Sequence, residues 1–347
     1  MAEPPTDPDS FFTRPDIFPL EFGPGHIELV PMSPDSYRQS IFTDRGRIVP
    51  SARRGWQAPT GQILAEFERR GLRPPPIFFI FHIAHCGSTL LARAVDVPGR
   101  TLVIREPFAL RQLAVEQAAP SGPRNRDSWA RCLRLTMGLL GRRFAADQPV
   151  IVKANVPVNF MLETLMALNP ESRGLLLYAD FDSYLLSVLK TPMHRRWVGN
   201  VTGQLAAAIR ASPGLEAIGP EKLDAPRAAA CLWLAQLGRF HKALAECNRL
   251  RSLDCTILYT QPAKVVAATL EAAGAPISAD QAGDIAAGEL FRRHAKDPSR
   301  DYDKEARARD LESLSRRLAP ELEEARTWAM STPAWDVAAA TPNRSLL

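Results

Sequence analysis

The residues His85-Cys86-Gly87-Ser88-Thr89 place an imidazole, a thiol and two hydroxyls between an apolar stretch, Pro76 to Ile83, and a segment with helical spacing, Leu90 to Arg93. A strand that ends in a tight polar loop and restarts as a helix makes an anion site. Gly87 lets the backbone come close to a ligand, Ser88 and Thr89 supply hydroxyls, and the free N–H groups of the first helical turn carry the positive end of the dipole. The loop is not a Walker A motif, because His82 stands where that motif has its first Gly and no Lys precedes Ser88. A cysteine phosphatase would need an Arg separated from the Cys by five residues. That place is held by Ala92, and Arg93 follows one residue too late on a different helical bearing.

The elements that must hold this loop follow from the alternation of short apolar runs with helical periodicity. Strands are expected at Ile77–Ile83, Thr101–Ile104, Val150–Lys153, Gly174–Tyr178 and Cys255–Leu258, and helices at 61–70, 225–251, 262–273 (stopped by Gly274) and 304–329. Continuous apolar strands between helices imply a three-layer α/β fold around a mostly parallel sheet buried on both faces. Leu232, Trp233, Leu237, Phe240 and Leu244 recur at three-to-four spacing and belong to its core. His82, inside the first strand, reads as a core histidine, and Asn155 and Asn159 read as caps at the next helix start.

Residues 1–70 form an arm laid over the main domain, with His26–Pro31 as an edge strand and one helix. Residues 71–330 are the α/β domain, 331–347 a tail, and the polar stretch 292–303 a loop.

Of the 43 Lys and Arg residues only seven are Lys, and the net charge of +5 accompanies abundant Ala and Pro, the signature of a compositional bias. No aromatic residues interleave a basic stripe, so nucleic acid is not an expected partner. Five cysteines without a C-x-x-C spacing support neither a disulfide framework nor a zinc site. With no apolar leader and no run long enough to span a bilayer, a cytoplasmic protein is expected.

Four segments in order resemble the sulfotransferase superfamily, as a divergent bacterial-type member. Ala84 to Leu91 is similar to the Pro-Arg-Ser-Gly-Thr-Thr loop that binds the 5′-phosphosulfate of 3′-phosphoadenosine 5′-phosphosulfate (PAPS). Glu106, in Arg105-Glu106-Pro107, stands 21 residues past His85, as the catalytic Glu does in some members. Leu175 to Leu189 resembles the 3′-phosphate segment, with Ser187 at the ligand position. Cys255 to Gly274 resembles the late strand, Pro and helix.

The departures fall on cationic positions: His85 replaces the loop Arg or Lys, Ala179 replaces the Arg of the 3′-phosphate segment, and Lys153-Ala154-Asn155 stands where cytosolic members carry Lys-Thr-His. The resemblance implies sulfuryl transfer from PAPS to a hydroxyl or amine without a metal. Glu106 would be the base, and Lys153 and His85 would stabilise the leaving oxygen. Cys86, Gly87, Ser88 and Thr89 would cradle the 5′-phosphate, and Ser187 and Arg195 would meet the 3′-phosphate. Lys296 and Arg300 would fold over the nucleotide. The acceptor, a small molecule or a peptide side chain, would sit among the arm and the helices after Ser187. A kinase using ATP with Lys153 in place of the Walker lysine, and a non-catalytic nucleotide- or partner-binding protein, are the alternatives.

Overall fold

The computed structural model describes residues 8–53, 55–123, 125–294, 297–301 and 304–347, with side chains described within 11–293 and 309–347. After a short helix, Pro8–Thr13, the chain forms a hairpin, β1 (Ile17–Gly23) and β2 (His26–Pro31), to which β3 (Trp56–Pro59) adds. The order β1-β2-β3 makes His26–Pro31 the middle strand of an antiparallel sheet, not the edge strand expected from its alternation. Its Ile27 and Leu29 pack on one face with Leu64 and Phe67 of the helix Thr60–Arg69, which supplies the second layer that a short sheet needs.

The central sheet contains β4 (Phe78–His82), β5 (Leu102–Arg105), β6 (Val150–Lys153), β7 (Arg173–Tyr178) and β8 (Leu250–Asp254) in the order β5-β6-β4-β7-β8, every pair parallel. The expected α/β arrangement is therefore the one that forms. β4, β5 and β6 are buried at every residue, as strands covered on both faces must be. From β4 the chain runs outward to β5, returns to β6, and only then crosses to β7. The end of β4 is thus the point where the winding changes direction, and open α/β sheets bind ligands at such points, beyond the carboxyl ends of the strands.

The last strand corrects the sequence reading. β8 is Leu250–Asp254, and Cys255–Thr260 is a helix whose N-terminus is capped by Asp254, the carboxylate of which accepts from the Thr256 N–H at 2.7 Å. The β-branched run after Cys255 has strand propensity, but a well-placed cap and the burial of Cys255 and Leu258 on one helical side outweigh it. The stretch read as a loop over 292–303 includes a small hairpin, β9 (Arg293–His294) with β10 (Asp297–Asp301). The free edge of β8 is covered by the tail: Leu346 N–H donates to the Ser252 carbonyl at 2.8 Å, and Ser252 N–H to the Arg344 carbonyl at 2.9 Å.

Two buried arginines hold the arm to the domain. Arg105, at the end of β5, donates to the carbonyls of Tyr37, Arg38 and Ser40 and pairs with Asp96 at 2.9 Å. Arg142 donates to the carbonyls of Leu139, Phe11 and Ile17, and its burial pulls its pKa down to about 10. Phe18, Leu20, Met32 and Tyr37 of the arm belong to the main apolar core, so the arm is packed as well as tied. Among the described residues no helix is long and apolar enough to cross a membrane.

Candidate functional site

β4, β5 and β6 end together, and three side chains converge there: His82, Glu106 and Lys153. The parallel register sets Arg105 beside Lys153, and Glu106 N–H donates to the Lys153 carbonyl at 2.7 Å. Glu106 has φ 55°, a left-handed conformation that turns the chain sharply just beyond the strand. The turn sends neighbouring side chains apart, with Arg105 running into the arm and Glu106 facing Lys153. The Lys153 ammonium donates to Glu106 Oε1 in a buried ion pair, with only 1% of the lysine side chain exposed against 18% of the glutamate. Phe42, carried by the arm segment whose Thr43 N–H bonds the Arg105 carbonyl, lays its ring 5.0 Å from Lys153 Nζ. Arg105 does not pair with the neighbouring Glu106, because its guanidinium is spent on the arm and Asp96.

The loop after β4 is strained in the way anion loops are. Ala84 and His85 have φ of 72° and 52°, and Gly87 follows at 81°. A side chain at Gly87 would also collide, since a Cβ would lie 2.7 Å from Tyr259 Oη. The helix Ser88–Ala94 starts immediately afterwards, with Ser88 and Thr89 buried at its first turn. Cys86 turns the other way. Its thiol lies 3.6 Å from the Leu177 carbonyl of β7, and burial pushes its pKa up to about 11, with the Lys153 charge pulling back only in part. Its side chain is a piece of core and not a nucleophile.

Over these residues lies a cavity of about 620 Å³, lined by Ser88, Thr89, His82, His85, Glu106 and Lys153 on the sheet side. Phe42 and Arg47 of the arm, Phe108 and Arg111 after β5, and His194 and Trp197 of the helix Pro192–Gln204 form the remaining walls. His85 stacks edge-on against both His194 and Trp197, with ring centroids 4.7 and 5.2 Å away. Asn155 also faces the cavity. Its side chain makes no cap bond, contrary to the sequence reading, and its buried Oδ1 has no hydrogen-bond partner among the described residues. Asn159 is not a cap either: its amide donates to the His82 carbonyl at 2.9 Å and to Gln236 Oε1 at 2.8 Å. A second cavity, of about 580 Å³, lies at the opposite ends of the strands, by Phe78, Val150 and Arg173, away from these groups.

The structure thus brings together Glu106, Lys153, His85, Gly87, Ser88 and Thr89. It does not bring Arg195 to the cavity: the guanidinium forms a two-pronged pair with Glu321 of the helix Lys304–Met330, at 2.5 and 3.0 Å, and donates to the Leu189 carbonyl. Arg317 and Arg326 of the same helix reach the Lys190 carbonyl and Asp182, so Arg195 belongs to a helix-to-helix seam. Ser187 is half-buried on the helix Phe181–Leu189, outside the cavity lining. Lys296 lies outside the described residues, as does the side chain of Arg300. Sequence reasoning assigned no role to Phe42, Arg47, Arg111 or Trp197, and it put His82 in the core. Only the position of His82 as the last residue of β4 pointed toward the loop.

No family model and no curated protein matches the sequence. Among solved structures the chain is similar to a sulfotransferase domain from the curacin biosynthetic pathway, at 16% identity and a TM-score of 0.43 over 72% of this chain and 99% of that one. It is similar to a sulfotransferase from Alicyclobacillus acidocaldarius at 17% identity and a TM-score of 0.37, over 75% of this chain and 98% of that one. A third similar structure is sulfotransferase STF9 from Mycobacterium avium, at 11% identity and a TM-score of 0.38, over 76% of this chain and 81% of that one.

Proposed function

We propose that the chain transfers a sulfuryl group from PAPS to a hydroxyl or amine acceptor. The observation that carries the reading is the juxtaposition, in one cavity, of a carboxylate, its buried lysine partner and a strained glycine loop opening a helix. Bound PAPS would supply an activated sulfuryl group on a phosphate leaving group. Ser88, Thr89 and the loop N–H groups fit its 5′-phosphate, and Asn155 Oδ1, which has no hydrogen-bond partner among the described residues, offers an acceptor to a hydroxyl of a bound molecule. The fit is poorer at the 3′-phosphate, where Ala179 brings no charge and Arg195 is held by Glu321.

In this reading Glu106 takes the proton from the acceptor hydroxyl as its oxygen bonds to sulfur. The bond from sulfur to the phosphate oxygen breaks, and Lys153 and His85 stabilise the charge left on that oxygen. The walls of Phe42, Phe108 and Trp197 would receive the acceptor's apolar part.

Calorimetric titration with 3′-phosphoadenosine 5′-phosphate, against ADP with Mg²⁺, tests the donor. Micromolar binding of the bisphosphate alone, weakened by Lys153→Ala, is the expected result. Binding of ADP alone would replace this reading with a kinase, and binding of neither would leave a loop that serves another anion.

A further inference from the structure

We propose that His82 is a positioning residue for Glu106, a neutral donor that holds the carboxylate when Lys153 leaves it for the sulfuryl donor. The inference rests on the reading of the site given above, and it begins from a hydrogen bond inside the loop. Ala84 N–H donates to His82 Nδ1 at 3.0 Å. With its lone pair at Nδ1 occupied, a neutral imidazole carries its proton on Nε2. That nitrogen faces Glu106, 3.8 Å from Oε1. The oxygen approached by His82 is the one that accepts from Lys153, so a single carboxylate oxygen has a close donor and a slack one.

The arrangement resolves a conflict in the mechanism. Glu106 Oε1 is held by the Lys153 ammonium, yet the same ammonium is needed at the leaving oxygen. When Lys153 turns toward the donor's phosphate, Glu106 loses that close partner and would rotate into the cavity unless held. Closure of the His82 contact to hydrogen-bond length keeps Oε1 in place. Catalytic hydrogen bonds that are long in a ligand-free site and tighten on binding behave in this way.

The ring also ties the two halves of the site. Its Nδ1 bond sustains the turn at Ala84, whose φ is 72°, and its carbonyl accepts from Asn159, which fixes the end of β4. A protonated ring would set an N–H against the Ala84 N–H, so the loop conformation itself favours the neutral tautomer.

The test is NMR of protein labelled with ¹⁵N at histidine, His82 being assigned by its loss in a His82→Asn variant. The expected spectrum of the free protein shows the Nε2–H tautomer, and the Nε2 proton moves downfield in Lys153→Met, where no ligand is needed. If that variant does not fold, the wild-type protein titrated with 3′-phosphoadenosine 5′-phosphate should show the same downfield shift. An Nδ1–H tautomer overturns the proposal outright, as does an unmoved resonance in folded Lys153→Met or in protein that calorimetry shows to be saturated.

Failure of the bisphosphate to bind would sink the donor assignment alone, because the tautomer and the Lys153→Met shift are read without it. Two variants separate positioning from simple structural support. His82→Asn keeps an acceptor for Ala84 N–H but withdraws the donor from Glu106, whereas His82→Gln keeps a donor toward Glu106, so kcat for sulfuryl transfer should fall at least fivefold further in His82→Asn than in His82→Gln. Equal loss in both would mean that the ring merely fills space.

Discussion

Glu106 and Lys153 form an ion pair in which the two partners are unequally buried: the ammonium is sealed beneath Phe42, and the carboxylate opens onto the cavity. Removing one partner of a buried pair leaves the other uncompensated, and the cost depends on which one remains. Glu106→Ala strands the sealed ammonium and should lower stability by about 3 kcal/mol. Lys153→Met leaves a carboxylate that can turn to solvent and should cost about 1 kcal/mol. Urea denaturation with matched slopes measures both. Equal losses would show that the two sites are equally dry in solution.

Arg105 should tolerate lysine poorly. A lysine cannot reproduce the fork that meets three arm carbonyls and Asp96, so Arg105→Lys is expected to cost roughly 3 kcal/mol and to expose residues 40–53 to protease. Burial pushes the Asp96 carboxyl up and the Arg105 guanidinium down, so desolvation outweighs the pairing at both ends. Asp96→Asn should accordingly be the milder change. A comparable or greater loss in that variant would assign the arm's attachment to the ion pair instead of the carbonyls.

Gly87→Ala meets two obstacles, a left-handed backbone and the hydroxyl of Tyr259. The conformation alone costs about 1–2 kcal/mol, and the loop should lose at least tenfold in bisphosphate affinity. Adding Tyr259→Phe relieves the collision but not the φ, so affinity should return only in part. Full recovery in the double variant would show that the loop does not depend on its left-handed residue.

Cys86 should resist alkylation. With its thiol buried and its pKa pushed up to about 11, almost no thiolate exists at neutral pH, and that fraction grows only as the pH climbs toward 11. Iodoacetamide at pH 7.5 should label the half-buried Cys132 and Cys247 first. Peptide mapping that finds Cys86 modified early would restore it as a reactive group.

Four of the five central strands were legible because parallel strands buried on both faces are short unbroken apolar runs. β8 was not, since Leu250-Arg251-Ser252-Leu253-Asp254 is an edge strand of mixed polarity beside a more apolar helix. The loop and Lys153 could be placed because each ends a strand and the ends of parallel strands meet, whereas Glu106 was singled out by the resemblance. Arg195 misled for the opposite reason: closeness to Ser187 in sequence suggested a phosphate ligand, but Glu321 lies 126 residues away and claims it first. Phe42 and Trp197 reach the cavity only through tertiary packing, which no local pattern encodes.

Arg105 and Glu106 are consecutive residues that answer to different parts of the chain, one to the arm and one to the cavity. The arm and the placement of Glu106 are therefore structurally coupled. A foreign segment grafted over residues 34–47 would have to offer carbonyls where Tyr37, Arg38 and Ser40 hold them, or the turn that aims Glu106 would lose its anchor. Met193 and Trp197, on the helix across the cavity, carry no such obligation to Arg105. Divergence in acceptor choice is expected to run through that helix, with the arm as the slowly changing wall.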